Sequence, residues 1–85
     1  MRFYDAVHND HLELDAAECV SLAMGYVIQD LVPNAETTAE RVHWKDQYYV
    51  MVDPANSAEK RIKVAMDMLA QMRIRPVDAD DGGEN

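Results

Sequence analysis

The chain is 85 residues long, is 48% hydrophobic and has a formal net charge of −8. This length suffices for one small domain, and the hydrophobic fraction excludes a wholly disordered chain. The acidity repels nucleic acid, so we predict no direct nucleic-acid binding and a preference for basic protein partners.

The negative charge is concentrated in the first half of the chain. Residues 1–40 contain eight acidic residues and one basic residue, whereas residues 41–77 contain seven basic and four acidic residues. Five acidic residues surround the first turn and the start of the first long helix, and we call them the acidic cluster: Asp5, Asp10, Glu13, Asp15 and Glu18. We predict that this cluster contacts a protein with a basic surface.

The sequence is typical of a cytoplasmic protein. Its single cysteine, Cys19, cannot form an intramolecular disulfide, which favours a reducing compartment. The first residues lack the apolar stretch of a signal peptide. The longest mostly apolar stretch, 19–32, is shorter than the ~18 residues needed to span a membrane. We therefore predict no membrane partner.

Residues 1–14 favour a β-hairpin. Polar and apolar residues alternate from His11 to Leu14, as in a half-buried strand, and residues 3–7 supply a partner strand. The turn is predicted at Asn9 and Asp10, although this pair is a weaker turn signal than Asn-Gly. A short helix over residues 3–9 is the alternative.

Residues 15–32 predict the central helix of the core. Asp15 and Glu18 form the pattern of a capping box, and Pro33 ends the helix. Its polar or small residues fall on one narrow stripe, so we expect the helix to be covered on most of its surface. That stripe consists of Glu18, Ser21, Gly25 and Gln29. Gly25 within a helix is unfavourable, which predicts a close approach by another backbone.

Residues 41–53 favour a second hairpin, because they are rich in β-branched and aromatic side chains. We predict its turn at residues 45–47, after a polar loop over residues 34–40. The strand after that turn has apolar or aromatic side chains on both faces, which predicts an inner strand.

A second helix follows Pro54. Asn56 and Glu59 form its predicted cap, and Pro76 ends it. Its predicted buried stripe consists of Ile62, Ala65, Met66, Leu69 and Met72. Residues 78–85 are acidic and have no side chains to bury, so we predict a disordered tail after a single domain over residues 1–77.

The predicted element order is therefore ββαββα. Two helices packed on an antiparallel sheet made of hairpins form a small two-layer α+β domain.

Few residues indicate catalysis. His8 and His11 flank a turn and lie near carboxylates, but their spacing alone is weak evidence for a metal site. Cys19 has apolar neighbours, which favour a buried, inert thiol over a nucleophile. No glycine-rich phosphate loop is present. We predict no enzymatic activity, no cofactor and no bound metal.

Aromatic and basic residues in the predicted second hairpin indicate protein recognition. Residues of these types often anchor interfaces, and four lie within nine positions: Arg41, Trp44, Tyr48 and Tyr49. The alternative is that the same aromatic side chains pack in the core beneath the helices.

We therefore predict a small non-catalytic protein-binding domain. An inhibitor or adaptor of the kind that mobile elements use against host proteins fits its size, and its acidic half could mimic nucleic acid. The alternative is a metal-dependent or small-molecule activity centred on His8 and His11. A third hypothesis is a homodimer built around Gly25 or the outer strand of the second hairpin.

Overall fold

The computed structural model describes residues 1–77. In chain order, its elements are β1 (Arg2–Asp5), β2 (Asp10–Glu13), α1 (Ala16–Tyr26), α2 (Thr38–Val52), α3 (Ala58–Gln71) and β3 (Ile74–Pro76). The helix α1 continues directly into a π-helical segment, Val27–Leu31. The predicted acidic tail lies outside the described residues.

The described residues form a small α+β domain with three helices and a three-stranded antiparallel sheet. The prediction of a small α+β domain with an antiparallel sheet is therefore confirmed, whereas the two helices and two hairpins predicted for it are wrong. The predicted order ββαββα is wrong, because residues 41–52 are helical and the third strand lies at the end of the described chain.

The sheet has the strand order β2-β1-β3. Tyr4 of β1 pairs with His11 of β2 on one side and with Arg75 of β3 on the other. Phe3 and Ile74 are buried. Because side chains alternate along a strand, Phe3 points into the core and Tyr4 lies on the outer face of the sheet.

The first hairpin is confirmed, but its turn covers residues 6–9 rather than Asn9 and Asp10. Asn9 has a φ of 53°, in the left-handed region that asparagine tolerates. Its side-chain oxygen accepts a hydrogen bond from the Tyr4 hydroxyl at 2.6 Å. The alternative helix does not form, because Asp5 accepts hydrogen bonds from the turn backbone and holds the chain in a turn.

The capping box at the start of α1 is confirmed. Asp15 Oδ1 accepts a hydrogen bond from the Glu18 backbone N–H at 2.8 Å, and Glu18 Oε1 accepts one from the Asp15 N–H at 2.9 Å. At the other end, the Val32 N–H donates to the Val27 carbonyl at 2.9 Å, which closes the π-helical turn. The predicted span of residues 15–32 thus agrees with α1 and its π-helical extension.

The helix α1 is less covered than we expected. Cys19, Ala23 and Val27 are buried along one stripe, but Leu22 and Ile28 are exposed. The neighbouring elements therefore leave part of the apolar surface of this helix exposed, although the sequence predicted that it would be covered.

The predicted second hairpin is wrong, since Thr38–Val52 forms the helix α2. Its start is capped by Thr37, whose hydroxyl accepts a hydrogen bond from the Glu40 N–H at 3.1 Å. No glycine or proline lies between Glu40 and Val52 to stop a helix.

Side-chain spacing explains why α2 is helical. Trp44, Tyr48 and Met51 are separated by four and three residues, so they share one helix face. Met51 is fully buried, and Trp44 and Tyr48 pack against the core. Packing of this face outweighs the β propensity of the individual residues.

The N-cap of α3 lies one residue after the predicted cap, Asn56. Ser57 caps the helix, accepting a hydrogen bond from the Lys60 N–H at 3.2 Å. Asn56 instead donates to the Val50 carbonyl at 3.1 Å, which ties the α2–α3 loop to α2. Of the predicted buried stripe, Ala65 and Leu69 are buried. The others, Ile62, Met66 and Met72, are half-buried.

The third strand was not predicted. Arg73 has a φ of 63°, which ends the helical path before Pro76 is reached. Ile74–Pro76 then pairs with β1, and the Ala6 N–H donates to the Arg73 carbonyl at 3.0 Å. The strand forms through contacts with residues about seventy positions away in sequence.

Nine buried hydrophobic residues from the sheet and all three helices form the core. They are Phe3, Cys19, Ala23, Val27, Met51, Ala65, Met68, Leu69 and Ile74. Within residues 1–77, none of the helices is long and apolar enough to cross a membrane.

Candidate protein-binding surface

The acidic cluster does not form one free surface, because Asp5 is buried and only 7% exposed. Its Oδ1 accepts hydrogen bonds from the N–H groups of Val7 at 2.9 Å and His8 at 3.2 Å. Its Oδ2 lies 2.7 Å from Nδ1 of the His8 ring. The His8 hydrogen bonds and the Val7 N–H hold the pKa of the Asp5 carboxyl below its usual range despite its burial.

The other four members of the acidic cluster are exposed, and they too have contacts within the chain. Asp10 Oδ1 accepts a hydrogen bond from the His11 N–H at 2.9 Å, on the edge strand β2. Glu13 Oε2 lies 3.6 Å from the N-terminal amine. Asp15 and Glu18 form the capping box of α1. These carboxylates therefore stabilise the hairpin and the helix start.

The two histidines proposed for the alternative function have separate partners. The His8 ring contacts Asp5, whereas the His11 ring packs against the Tyr4 ring with centroids 5.2 Å apart. Across the described residues, no three histidine, cysteine, aspartate or glutamate side chains are grouped so as to hold a metal ion. The geometry of the hairpin thus gives no support to a site shared by His8 and His11.

Cys19 is a buried free cysteine in the core. Burial raises the pKa of its thiol, which is the opposite of the shift that activates a nucleophile. Its environment is therefore that of a core residue.

The aromatic residues of the predicted hairpin are divided between two faces of α2. Trp44 and Tyr48 lie against the core, as the core-packing alternative predicted. Tyr49 lies on the opposite side and is 61% exposed. Arg41 is exposed one turn before Lys45. Of these predicted contact residues, Tyr49 is thus the exposed aromatic one.

Three exposed apolar side chains lie on α2 and the π-helical segment. Val42 and Ile28 are each 51% exposed, and Tyr49 is 61% exposed. Ile28 and Tyr49 line the same shallow groove of about 150 Å³. We call Ile28, Val42 and Tyr49 the α2 patch.

Charged side chains lie between the two α2 members of this patch. Val42, Lys45, Asp46 and Tyr49 follow the helical spacing that places residues on one face. All four are exposed. The outer face of α2 therefore has an apolar side chain towards each end and one charge of each sign between them.

A larger groove lies between the starts of α1 and α3. Its volume is about 360 Å³, and most of its lining is apolar. The lining residues are Ala16, Ala17, Val20, Ser21, Met24, Ala58, Arg61 and Ile62. Further along α1, no described atom outside Gly25, its chain neighbours and the adjoining helix backbone lies within 4 Å of the position where a Cβ of Gly25 would be. The expected close approach of another backbone at Gly25 is therefore absent from the described residues.

Sequence reasoning identified Tyr49 but missed Val42 and Ile28. The signal that could have identified Val42 is its seven-residue spacing from Tyr49, which places both residues on one face of a helix. On the predicted hairpin, these two positions belong to different strands and have no common surface. Ile28 was assigned to the core because its helix was expected to be covered.

Comparison with known proteins finds no matching family model, no matching curated protein and no matching solved structure.

Proposed function

We propose that this chain is a non-catalytic protein-binding domain whose contact surface is the α2 patch. The observation that carries the proposal is that Ile28 and Tyr49, each more than half exposed, line one groove, and that exposed Val42 lies on the same face of α2 two turns before Tyr49. Single exposed apolar residues are common, whereas exposed apolar residues gathered on one surface are typical of an interaction site.

The support beneath the patch favours a preformed binding surface. Trp44, Tyr48 and Met51 hold the opposite face of α2 against the core. A partner therefore does not need to order this helix, which lowers the entropic cost of binding. Tyrosine is enriched among residues that anchor interfaces, and π-helical segments are frequent at functional sites.

The acidic cluster has a secondary role in this proposal. Four of its five carboxylates accept hydrogen bonds from the first turn, the edge strand or the capping box, so they are poor anchors for a partner. The net charge of −8 still creates a long-range field. That field speeds the approach of basic partners and slows the approach of acidic ones, whereas the contact itself depends on the apolar side chains and local charges of α2.

The test is affinity capture from a cell extract with matched variants. Tyr49→Ala and Val42→Ala are expected to lose the captured protein, because they remove contact area without touching the core. Glu13→Gln is expected to retain it. Val7→Ala removes a similarly exposed valine from the first turn, 60% exposed against 51% for Val42, and serves as the control for Val42→Ala.

A captured protein that is lost with Glu13→Gln and retained with Tyr49→Ala would contradict the assignment. The acidic cluster would then be the contact surface.

A further inference from the structure

We propose that the α2 patch binds a second copy of this chain, with the two α2 helices packed antiparallel across a two-fold axis. This inference rests on the proposed function, because it names the partner of the same surface. Its basis is the order of residues along the outer face of α2.

The outer face of α2 is complementary to itself. When two copies pack antiparallel about an axis between residues 45 and 46, each Val42 lies opposite the second copy's Tyr49. In the same register, each Lys45 lies opposite the second copy's Asp46. No like charges on this face meet.

Other arrangements of the two helices are less favourable. If the register of the antiparallel pair changes by one residue, the Lys45 side chains of the two copies meet on the two-fold axis. If it changes by one residue the other way, the two Asp46 side chains meet there. A parallel pair creates both like-charge contacts at once. Like charges opposed in an interface cost free energy, so the charge pair selects the antiparallel register.

The π-helical segment widens the contact beside α2. Ile28 and Val32 line the groove next to Tyr49, together with Lys45. In the antiparallel pair, the second copy's Val42 approaches the Tyr49 side of this groove. The interface is therefore a helix pair with apolar contacts at both ends and two salt bridges near its centre.

The expected affinity is low. A helix of 15 residues is about 22 Å long, so a contact confined to one helix pair is smaller than the ~800 Å² per partner of a standard interface. Each copy also carries a charge of −8, and the repulsion between copies opposes association at low salt. Salt screens this repulsion, so association is expected to strengthen as ionic strength rises to about 0.15 M.

Sedimentation equilibrium of the full chain tests the proposal. Between about 10 µM and about 1 mM protein, the average mass is expected to rise from 9.7 kDa towards twice that value. Lys45→Asp and Asp46→Lys are each expected to weaken association by about tenfold or more. The double variant Lys45→Asp with Asp46→Lys is expected to restore it, because each swapped charge again meets its opposite.

A second pair of variants keeps the test decisive if a charge variant fails to fold. Val42→Ala is expected to weaken association, whereas Val7→Ala, which removes a similarly exposed valine from the first turn, is expected to leave it unchanged. Circular dichroism checks the fold of each variant.

Two results would overturn the proposal. A mass of 9.7 kDa at every concentration would exclude the second copy. The protein-binding function would still stand in that case if Tyr49→Ala lost a different protein in the capture experiment. Association that is unaffected by both Lys45→Asp and Val42→Ala would place the contact elsewhere and overturn the proposed α2 surface as the site of self-association.

Discussion

The acidic cluster and the outer face of α2 differ in how their side chains are used. Four of the five carboxylates in the cluster accept hydrogen bonds from backbone N–H groups at the hairpin turn, the edge strand and the start of α1. The exposed apolar side chains of α2 lie on the side of the helix opposite its core contacts. Charge near a turn or a helix start is thus a weak indicator of function, because local structure already requires it.

The acidic cluster and the outer face of α2 also differ in what their side chains contribute to the free energy of folding. A capping side chain stabilises the chain by roughly 1 kcal/mol, so selection for folding alone accounts for its presence. An apolar side chain exposed to water forgoes about 25 cal/mol for each Å² that burial would remove from solvent. The proposed binding role therefore depends on these side chains rather than on the acidic cluster.

The largest expected effect on stability comes from a substitution on the core-facing side of α2. Met51→Ala removes a fully buried side chain and is expected to lower the free energy of unfolding by about 2 to 5 kcal/mol. Thermal or urea unfolding measures this change. A small effect would contradict the helical packing of α2, because it would mean that Met51 is not in the core.

A smaller effect is expected at the start of α1. Asp15→Ala removes one half of the capping box and is expected to cost about 1 kcal/mol in unfolding free energy. Self-association measured by sedimentation is expected to stay unchanged. Loss of association without loss of stability would instead assign a binding role to the acidic cluster.

The Asp5 carboxyl gives a pH-dependent effect. Its pKa is lower in the folded chain than in the unfolded chain, so ionised Asp5 stabilises the fold above the unfolded pKa of about 3.9. This stabilisation is lost as pH falls through the folded pKa. Asp5→Asn keeps an oxygen for the turn N–H groups but removes the ionisable group. Its stability is expected to vary less over the same acidic range, as measured by urea unfolding at a series of pH values.

The smallest effect on stability is expected at the α2 patch. Tyr49→Ala and Val42→Ala are expected to change the unfolding free energy by no more than about 0.5 kcal/mol, because both side chains are mostly exposed. A loss of several kcal/mol in thermal unfolding of the isolated chain would contradict the assignment of these residues to a free surface.

Local signals explain the parts of the fold that were predictable. The alternation at His11 to Leu14, the capping pair Asp15 and Glu18, and the stop at Pro33 depend on neighbours within a few residues. The hairpin and the long first helix were predicted for this reason.

The missed elements depend on contacts between distant residues. The helix α2 has residues of high β propensity, and it is helical because one face packs against α3 and the π-helical segment. The strand β3 is three residues long, includes Pro76, and exists only through pairing with β1. Local propensity carries little information about either.

The candidate site was predictable only in part for the same reason. Tyr49 belongs to a residue type that often anchors interfaces, so its type alone identified it. The exposure of Val42 and Ile28 depends on which side of each helix packs inward. That information requires the tertiary structure.

Backbone amide chemical shifts recorded over a dilution series of the full chain test the α2 patch most directly. Between about 1 mM and about 10 µM protein, we expect shift changes in α2 and in the π-helical segment around Ile28, with residues 10–18 unaffected. Changes confined to the hairpin and the start of α1, or no change at any concentration, would contradict self-association through α2.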